Sequence, residues 1–404
     1  MQKIRVAIPA MDELDFLPAT LDALSKQETD IPFEVYVCVN QPDDYWSDPV
    51  HRAVCENNRQ LIQFLNDYHF LTLHILDYSS PGNGWKGKKS GVGFARKALF
   101  ERILSHSEPD DLIVSMDADT YVKPGYLESV YTRFAKDKRL NALAVPYYHP
   151  LNPQEEMRSR AMLRYEIYMR NYAINLLKIK SPYGFSALGS AIVMRASALR
   201  KIGNITPLQS GEDFYLIQKF CKMGGLSLFN TECVYPAGRY SDRVPFGTGP
   251  AMTQGAKGIW DSYPIYHHSC FDAIRDTYEH LPELYKGKTA TNANDFLSFL
   301  QKDMQKQDIW QEIRQNVTDY PHFVKAFHQK ADGLRLLQYA RTRQKQTPVR
   351  EETALYDNLQ TWCPESCPSW FTPDISFKQL PLEQFNSLRN NLFDMEKDLR
   401  TDYG

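Results

Sequence analysis

The sequence predicts an α/β protein: an open, mostly parallel sheet with helices on both faces, followed by a mostly helical C-terminal extension. Three observations predict it. Apolar runs of strand length alternate with runs of helical periodicity through the first 270 residues. Strand ends carry polar side chains, where such sheets bind ligands. From about Phe271 onward the pattern becomes almost wholly helical.

Taken in order, IRVAI (Ile4 to Ile8) reads as a buried strand ended by Pro9. Asp12 to Ser25 reads as a helix, with Leu14, Leu17, Leu21 and Leu24 along one stripe. FEVYVCV (Phe33 to Val39) is a second strand, and Val50 to His69 a helix with Ile62, Phe64 and Leu65 on its apolar side. Leu71 to Leu76 is the third strand, Gly93 to Leu104 the next helix, and DLIVSM (Asp111 to Met116) the fourth strand. The carboxyl ends of these strands are Pro9-Ala10, Asn40, Asp77 and Asp117. Glu155 to Lys180 is a long helix rich in Met, Tyr and Arg, whose Arg158, Arg160, Arg164 and Arg170 read first as a solvated face and second as a face toward an anionic acceptor such as a lipid-linked diphosphate. Phe214 to Met223 is helical and stopped by Gly224-Gly225; Leu226 to Phe229 and Cys233 to Tyr235 are strand pieces. The expected division is a catalytic domain over 1–270, with halves of about 1–125 and 126–270, and a helical extension over 271–404.

Composition narrows the class. With 43% hydrophobic and 24% charged residues over 404 positions, the chain can bury large cores. A formal charge of −2 gives no electrostatic basis for nucleic acid as a partner. The seven cysteines are scattered, as reduced thiols are, and the CPESC pair (Cys363, Cys367) has no second pair to complete a zinc site. The N-terminal stretch lacks the apolar core of a signal peptide, and no stretch has the length of a membrane span. A cytoplasmic protein is expected, with association to the cytoplasmic face of a membrane left open.

Two acidic motifs carry the chemistry. In SMDADTYVKPG, an apolar strand runs into Asp117-Ala118-Asp119. Alternate side chains at a strand end point the same way, so two carboxylates can converge on one hard cation such as Mg²⁺ or Mn²⁺. In QSGEDFYLIQKFCKMGG, Glu212 and Asp213 stand at a loop-to-helix junction, where a carboxylate can serve as general base or simply favour the helix N-terminus. The loop PGNGWKGKKSG nearly spells a phosphate-binding P-loop, but Lys89 stands where Ser or Thr must hold Mg²⁺. Its Lys86, Lys88 and Lys89, with Arg96 beyond, are candidates to neutralise a diphosphate.

With these pieces in order, residues 3 to 240 resemble the family 2 glycosyltransferases of GT-A fold, a Rossmann-like architecture. VAIPAMDELDFLPATLDALSKQ resembles the family's opening strand, acidic loop and helix. SGVGFARKAL resembles its arginine-bearing helix, DADT its metal motif, and SGEDFYLIQKFCKMGG its closing acidic motif. The resemblance implies transfer of a sugar from a nucleotide-diphosphate donor, UDP- or GDP-linked, to a glycan or lipid-linked acceptor in surface glycan or glycolipid synthesis. It makes Asp119 the principal metal ligand, with Asp117 sharing the metal or lying near the ribose. It makes Asp213 the base, with Glu212 shaping the acceptor side. Pro9, Ala10, Glu13, Asn40, Asp77 and Arg96 become donor-binding candidates. Arg239 and Arg243, in the glycine-rich stretch GRYSDRVPFGTGPAM, become candidates to clamp the leaving diphosphate. The family often has a His after the closing motif to help hold the metal. This chain reads PAGR there, so a third protein ligand is in doubt, and His267 of the later HH pair is the substitute candidate. Direct displacement with inversion is expected. The rivals are a sugar nucleotidyltransferase, opposed by PAMDELDF where a glycine-rich loop would stand, and an inactive binding scaffold, opposed by the intact carboxylates.

Overall fold

A computed structural model describes residues 2–87, 90–241, 247–287, 295–306 and 308–401. The chain divides into two compact units. The first comprises Met1–Met162, Ala187–Gly258 and Arg400–Gly404; the second comprises Leu163–Ser186 and Ile259–Leu399. The second unit thus takes most of the long helix after residue 155 together with the chain from Ile259.

The first unit contains β1 (Ile4–Ala10), α1 (Leu17–Ser25), β2 (Phe33–Asn40), α2 (Arg52–Asn66), β3 (Leu73–Tyr78), α3 (Val92–Leu104) and β4 (Leu112–Ser115). It continues with β5 (Thr120–Val122), α4 (Tyr126–Lys136), β6 (Ala142–Ala144) and the start of α5 (Glu156–Lys178). After α5 come β7 (Ile192–Arg195), α6 (Ala196–Lys201), α7 (Glu212–Met223), β8 (Leu226–Leu228), β9 (Val234–Pro236) and α8 (Thr248–Ala256). The main sheet has seven strands in the order β3-β2-β1-β4-β7-β6-β8. β3, β2, β1 and β4 are mutually parallel, and β7 runs against both of its neighbours. The order reverses between β1 and β4: from β1 the chain first builds outward to β2 and β3, then returns to add β4 on the other side. A crevice outside the strand ends opens at such a reversal.

Local chemistry sets where the elements begin. β1 is buried along its whole length, as a strand covered on both faces must be. α1 starts at Leu17, later than its leucine stripe predicts, because Asp12 and Leu14 donate their backbone N–H groups to Asn58 and Asn57 of α2. That holds the acidic loop 11–16 out of the helix. α2 likewise starts after Pro49 and buries Cys55, Asn58, Leu61 and Leu65, so Ile62 and Phe64 lie at the margin of its packed face. β5 and β6 escape a reading by period, since three strand residues carry none; α4, which buries Tyr126, Leu127, Val130 and Phe134, has a helical period that the reading passed over. The expected polar stretch before Met252 becomes helix α8 from Thr248 onward.

The second unit is helical. It takes the remainder of α5, then α9 (Asp272–Glu279), α10 (Leu281–Tyr285), α11 (Asp295–Met304), α12 (Ile309–Gln315), α13 (Tyr320–Lys330), α14 (Gly333–Gln346), α15 (Glu351–Trp362) and most of α16 (Leu382–Thr401). Its core holds charges. Glu166 accepts from Arg170 at 2.5 Å and from Arg389 at 3.1 Å, and Arg170 donates to Glu396 at 2.6 Å, with all four side chains at most 2% exposed. Arg164 pairs with Glu351 and lies over the Trp260 ring. These two arginines of α5 are therefore buried ion-pair partners and not a solvated face, while Arg158 and Arg160 make local pairs with Glu155 and Glu156. All seven cysteines are free. Among the described residues no helix is long and apolar enough to cross a membrane.

Removing one member of a buried charge network strands the others. Glu166→Ala is expected to destabilise the protein by about 3–5 kcal/mol, read as a lowered urea midpoint; an unchanged midpoint would show that the network contributes nothing.

Candidate active site

The site begins where β1 and β4 lie side by side. Their pairing runs Ile4 with Leu112 to Ala7 with Ser115, and Met116 then donates to the Ala7 carbonyl at 3.0 Å. This brings Asp117-Ala118-Asp119 beside Pro9-Ala10. The turn is held by Thr120 N–H on the Asp117 carbonyl and by the Thr20 hydroxyl of α1 on the Ala118 carbonyl.

Arg96 of α3 stands at the centre and is 3% exposed. Its Nε donates to Glu212 at 3.0 Å, Nη1 to the Ser115 hydroxyl at 2.6 Å and the Gly189 carbonyl at 3.3 Å, and Nη2 to Asp117. Burial alone would lower its pKa, but the charges of Asp117, Glu212 and Asp213 outweigh burial and raise it. Glycines make the arrangement possible. A Cβ on Gly189 would lie 1.9 Å from Arg96 Nη2, and one on Gly93 would lie 2.3 Å from the Leu208 carbonyl oxygen. Close approach of α3 to the segment before α7 therefore requires Gly93, a reason for the SGVG spelling.

Glu212 and Asp213 occupy the first turn of α7, where the helix dipole favours negative charge. Glu212 is buried on Arg96. Asp213 is half-buried, and its Oδ1 accepts from the Phe214 N–H at 2.7 Å. Burial, and then the charge of Glu212, push its pKa up to about 7 against the opposing pull of Arg96.

A second arginine serves Asp119. Arg239 follows β9, which pairs antiparallel with β5 in register Thr120 with Pro236, and Ala237 donates to the Asp119 carbonyl at 3.1 Å. Arg239 Nε donates to Asp119 Oδ2 at 2.8 Å, Nη2 donates to Glu13, and the guanidinium lies over Phe16 at 4.4 Å from the ring centre.

Residues 86–203 match the model of the family described as "Glycosyl transferase family 2". The matched segment carries Arg96, Asp117, Asp119 and Gly189. The chain contains a family 2 glycosyltransferase domain. Solved structures similar to this glycosyltransferase include S. aureus TarS residues 1–349 with UDP-GlcNAc, at 15% identity and a TM-score of 0.45, covering 100% of this chain and 91% of that one. A mannosyltransferase from Pyrobaculum calidifontis with GDP-Man and Mn²⁺ follows at 13% identity and TM-score 0.35, covering 98% and 86%. Glucosyl-3-phosphoglycerate synthase from Mycobacterium tuberculosis, with Mn²⁺ and UDP, has 14% identity and TM-score 0.33, covering 56% and 69%. Likenesses this distant say nothing about ligands. No curated protein matches the chain.

The remaining candidates of the glycosyltransferase take defined places. Asn40 is buried; its amide donates to the Ala10 carbonyl at 2.9 Å and its oxygen accepts from the Trp85 indole at 3.1 Å. Asp77 Oδ1 accepts from the Ser79 N–H and hydroxyl and from the Ser80 N–H, and these bonds hold its pKa low despite the upward push of burial. Asp77 thus shapes the turn after β3. Trp85, which sequence reasoning passed over, stacks on Tyr78 at 4.2 Å and ties PGNGWKG to the end of β2. Its signal was a lone aromatic among glycines. Lys86 is exposed, while Lys88, Lys89 and Arg243 lie outside the described residues. Arg96, expected to face a diphosphate, is instead engaged by protein groups along its whole guanidinium, because a buried cation needs its charge and donors met locally.

His267 belongs to the second unit. Its Nδ1 accepts from the Ser269 N–H and its Nε2 faces Asp357 at 3.4 Å. It joins no metal-holding group: among the described residues no three His, Cys, Asp or Glu side chains are arranged to bind a metal. Two strand-end carboxylates do fit a hard cation whose remaining ligands come from substrate oxygens, the usual arrangement for Mg²⁺.

Two tests follow from this geometry. Gly189→Ala drives a methyl into Arg96 and is expected to lower kcat/KM about 100-fold through displaced carboxylates; full activity would show that the contact can relax. Asp213 holds a proton in the folded chain that the unfolded chain releases, so its stabilising effect is present in acid and is lost as pH rises through about 7. Asp213→Asn stays neutral. Its melting temperature is expected to exceed the wild-type value at about pH 8, with the gap closing towards about pH 4. A pH-independent gap would refute the raised pKa.

Proposed function

We propose that this protein transfers a sugar from a nucleoside-diphosphate donor, UDP- or GDP-linked, to an acceptor hydroxyl with inversion at the anomeric carbon. One observation carries the reading: Arg96 binds Asp117 of the strand-end motif and Glu212 of the helix-start motif together, with Asp213 beside them. A donor-side carboxylate pair and a candidate base thereby form one charged assembly at the sheet's reversal point.

In this mechanism the acceptor oxygen attacks the anomeric carbon as its proton passes to an Asp213 carboxylate oxygen. The bond from that carbon to the diphosphate oxygen breaks, and the nucleoside diphosphate leaves with the electron pair. A single displacement inverts configuration. Asp119 and Asp117 would hold a Mg²⁺ or Mn²⁺ ion, which supplies charge stabilisation for the departing diphosphate. Arg239 would add positive charge on the same side, and Arg243, four residues on in the sequence, is a further candidate to clamp the diphosphate. Pro9, Ala10, Glu13, Asn40 and Asp77 would line the nucleoside end of the crevice, with Trp85 offering a ring. Arg96 and Glu212 act as positioning residues, fixing Asp117 and the start of α7. A glycan or lipid-linked acceptor on the cytoplasmic side is proposed on the family resemblance.

The test is a thermal-shift panel of UDP-, GDP-, CDP- and dTDP-sugars with and without Mn²⁺. One nucleotide is expected to raise the melting temperature with metal, and Asp119→Ala to abolish the rise. Asp213→Asn should keep the donor shift yet lose about 10²–10⁴-fold in transfer rate. Wild-type kcat/KM should fall below about pH 7, as Asp213 takes up its proton. No shift with any donor would remove the transferase reading.

A further inference from the structure

Arg239 and a divalent cation would compete for the same carboxylate. Arg239 Nε lies 2.8 Å from Asp119 Oδ2, and a hard cation bound by that carboxylate sits about 2.0–2.1 Å from its oxygen for Mg²⁺. Two like-signed centres held by one carboxylate repel each other. Arg239 is also built to leave. Its side chain is 19% exposed, whereas that of Arg96 is 3% exposed. The chain just before it is anchored by the β5–β9 ladder, which ends at Pro236, and by the Ala237 bond to the Asp119 carbonyl. Glu13 and the Phe16 ring give it a resting place that does not depend on Asp119 alone. An anion with two oxygens matching a guanidinium fork is the ligand that could draw it from a carboxylate.

We propose that Arg239 is a resident counter-cation that holds Asp119 closed to metal until a nucleoside diphosphate draws it away, so that metal and nucleotide bind as a coupled pair. The inference rests on the donor-site reading of Asp119. Reciprocity follows: metal tightens nucleotide binding by the factor by which nucleotide tightens metal binding, commonly about 5–150-fold. A site with this property binds divalent metal poorly when no nucleotide is present.

The test titrates Mn²⁺, followed by the EPR signal of the free ion, against the full-length protein alone, then with UDP, then with GDP. Arg239→Met is expected to bind Mn²⁺ alone at least about tenfold more tightly than wild type, within the usual range of coupling. The gain on adding the effective nucleotide should shrink to the part that direct metal–phosphate contact supplies. Arg239→Lys keeps the charge but loses the two-pronged bridge, and should fall between; it answers the question if the Met variant does not fold. Equal or weaker Mn²⁺ affinity in the folded variants without nucleotide overturns the proposal. If wild type takes up no Mn²⁺ with either nucleotide, and Arg239→Met none at all, the donor-site reading fails and this inference with it. Uptake by wild type that does not respond to nucleotide overturns the coupling alone.

Discussion

A buried guanidinium governs the first unit. Arg96 is buried among strand and helix ends, where an unpaired cation would be costly. It is stable there only because Asp117, Glu212, the Ser115 hydroxyl and the Gly189 carbonyl converge on it. Those partners come from three separated parts of the chain. Satisfying one side chain therefore brings the strand-end motif, the helix-start motif and the loop before β7 into a single arrangement. The glycines at 93 and 189 are the steric counterpart of this requirement.

The same interaction divides the labour between adjacent carboxylates. Glu212 and Asp213 are neighbours in the first turn of α7 and both gain from its dipole. Glu212 receives a buried arginine and is thereby fixed. Asp213 accepts from the Phe214 N–H, and burial and then the negative charge of Glu212 hold its proton more tightly. One arginine thus separates the behaviour of two similar groups, the pattern expected where one carboxylate orients and the other exchanges protons. Asp117 and Asp119 are distinguished in the same way. Asp117 answers to a buried, immovable arginine, and Asp119 to the more exposed Arg239.

In the second unit, buried charge plays a different part. Glu166, Arg170, Arg389 and Glu396 lie in the helical core and satisfy one another. Such a network specifies which faces of α5 and α16 meet, since any other packing leaves a buried charge alone. Arginine in a helical run therefore has opposite meanings along α5: Arg158 and Arg160 make local surface pairs, while Arg164 and Arg170 are core residues.

The sequence by itself determined the alternation of strands and helices, because burial on both faces imposes apolar runs and one-sided packing imposes helical period. It also determined the chemistry on offer: two aspartates at a strand end and two acids at a helix start are visible as spelling. What it did not contain was partnership. The bond from Arg96 to Glu212 spans 116 residues, and that from Arg239 to Glu13 spans 226. No local period reports contacts of that separation. Short elements such as β5 and β6 were equally hidden, since three residues carry no pattern and their strand geometry is imposed by neighbours. Arg96 looked like a ligand-binding cation and proved to be an internal brace. Only the tertiary structure decides whether a charge faces solvent, substrate or another buried charge, because that depends on which distant groups the fold brings within hydrogen-bonding reach.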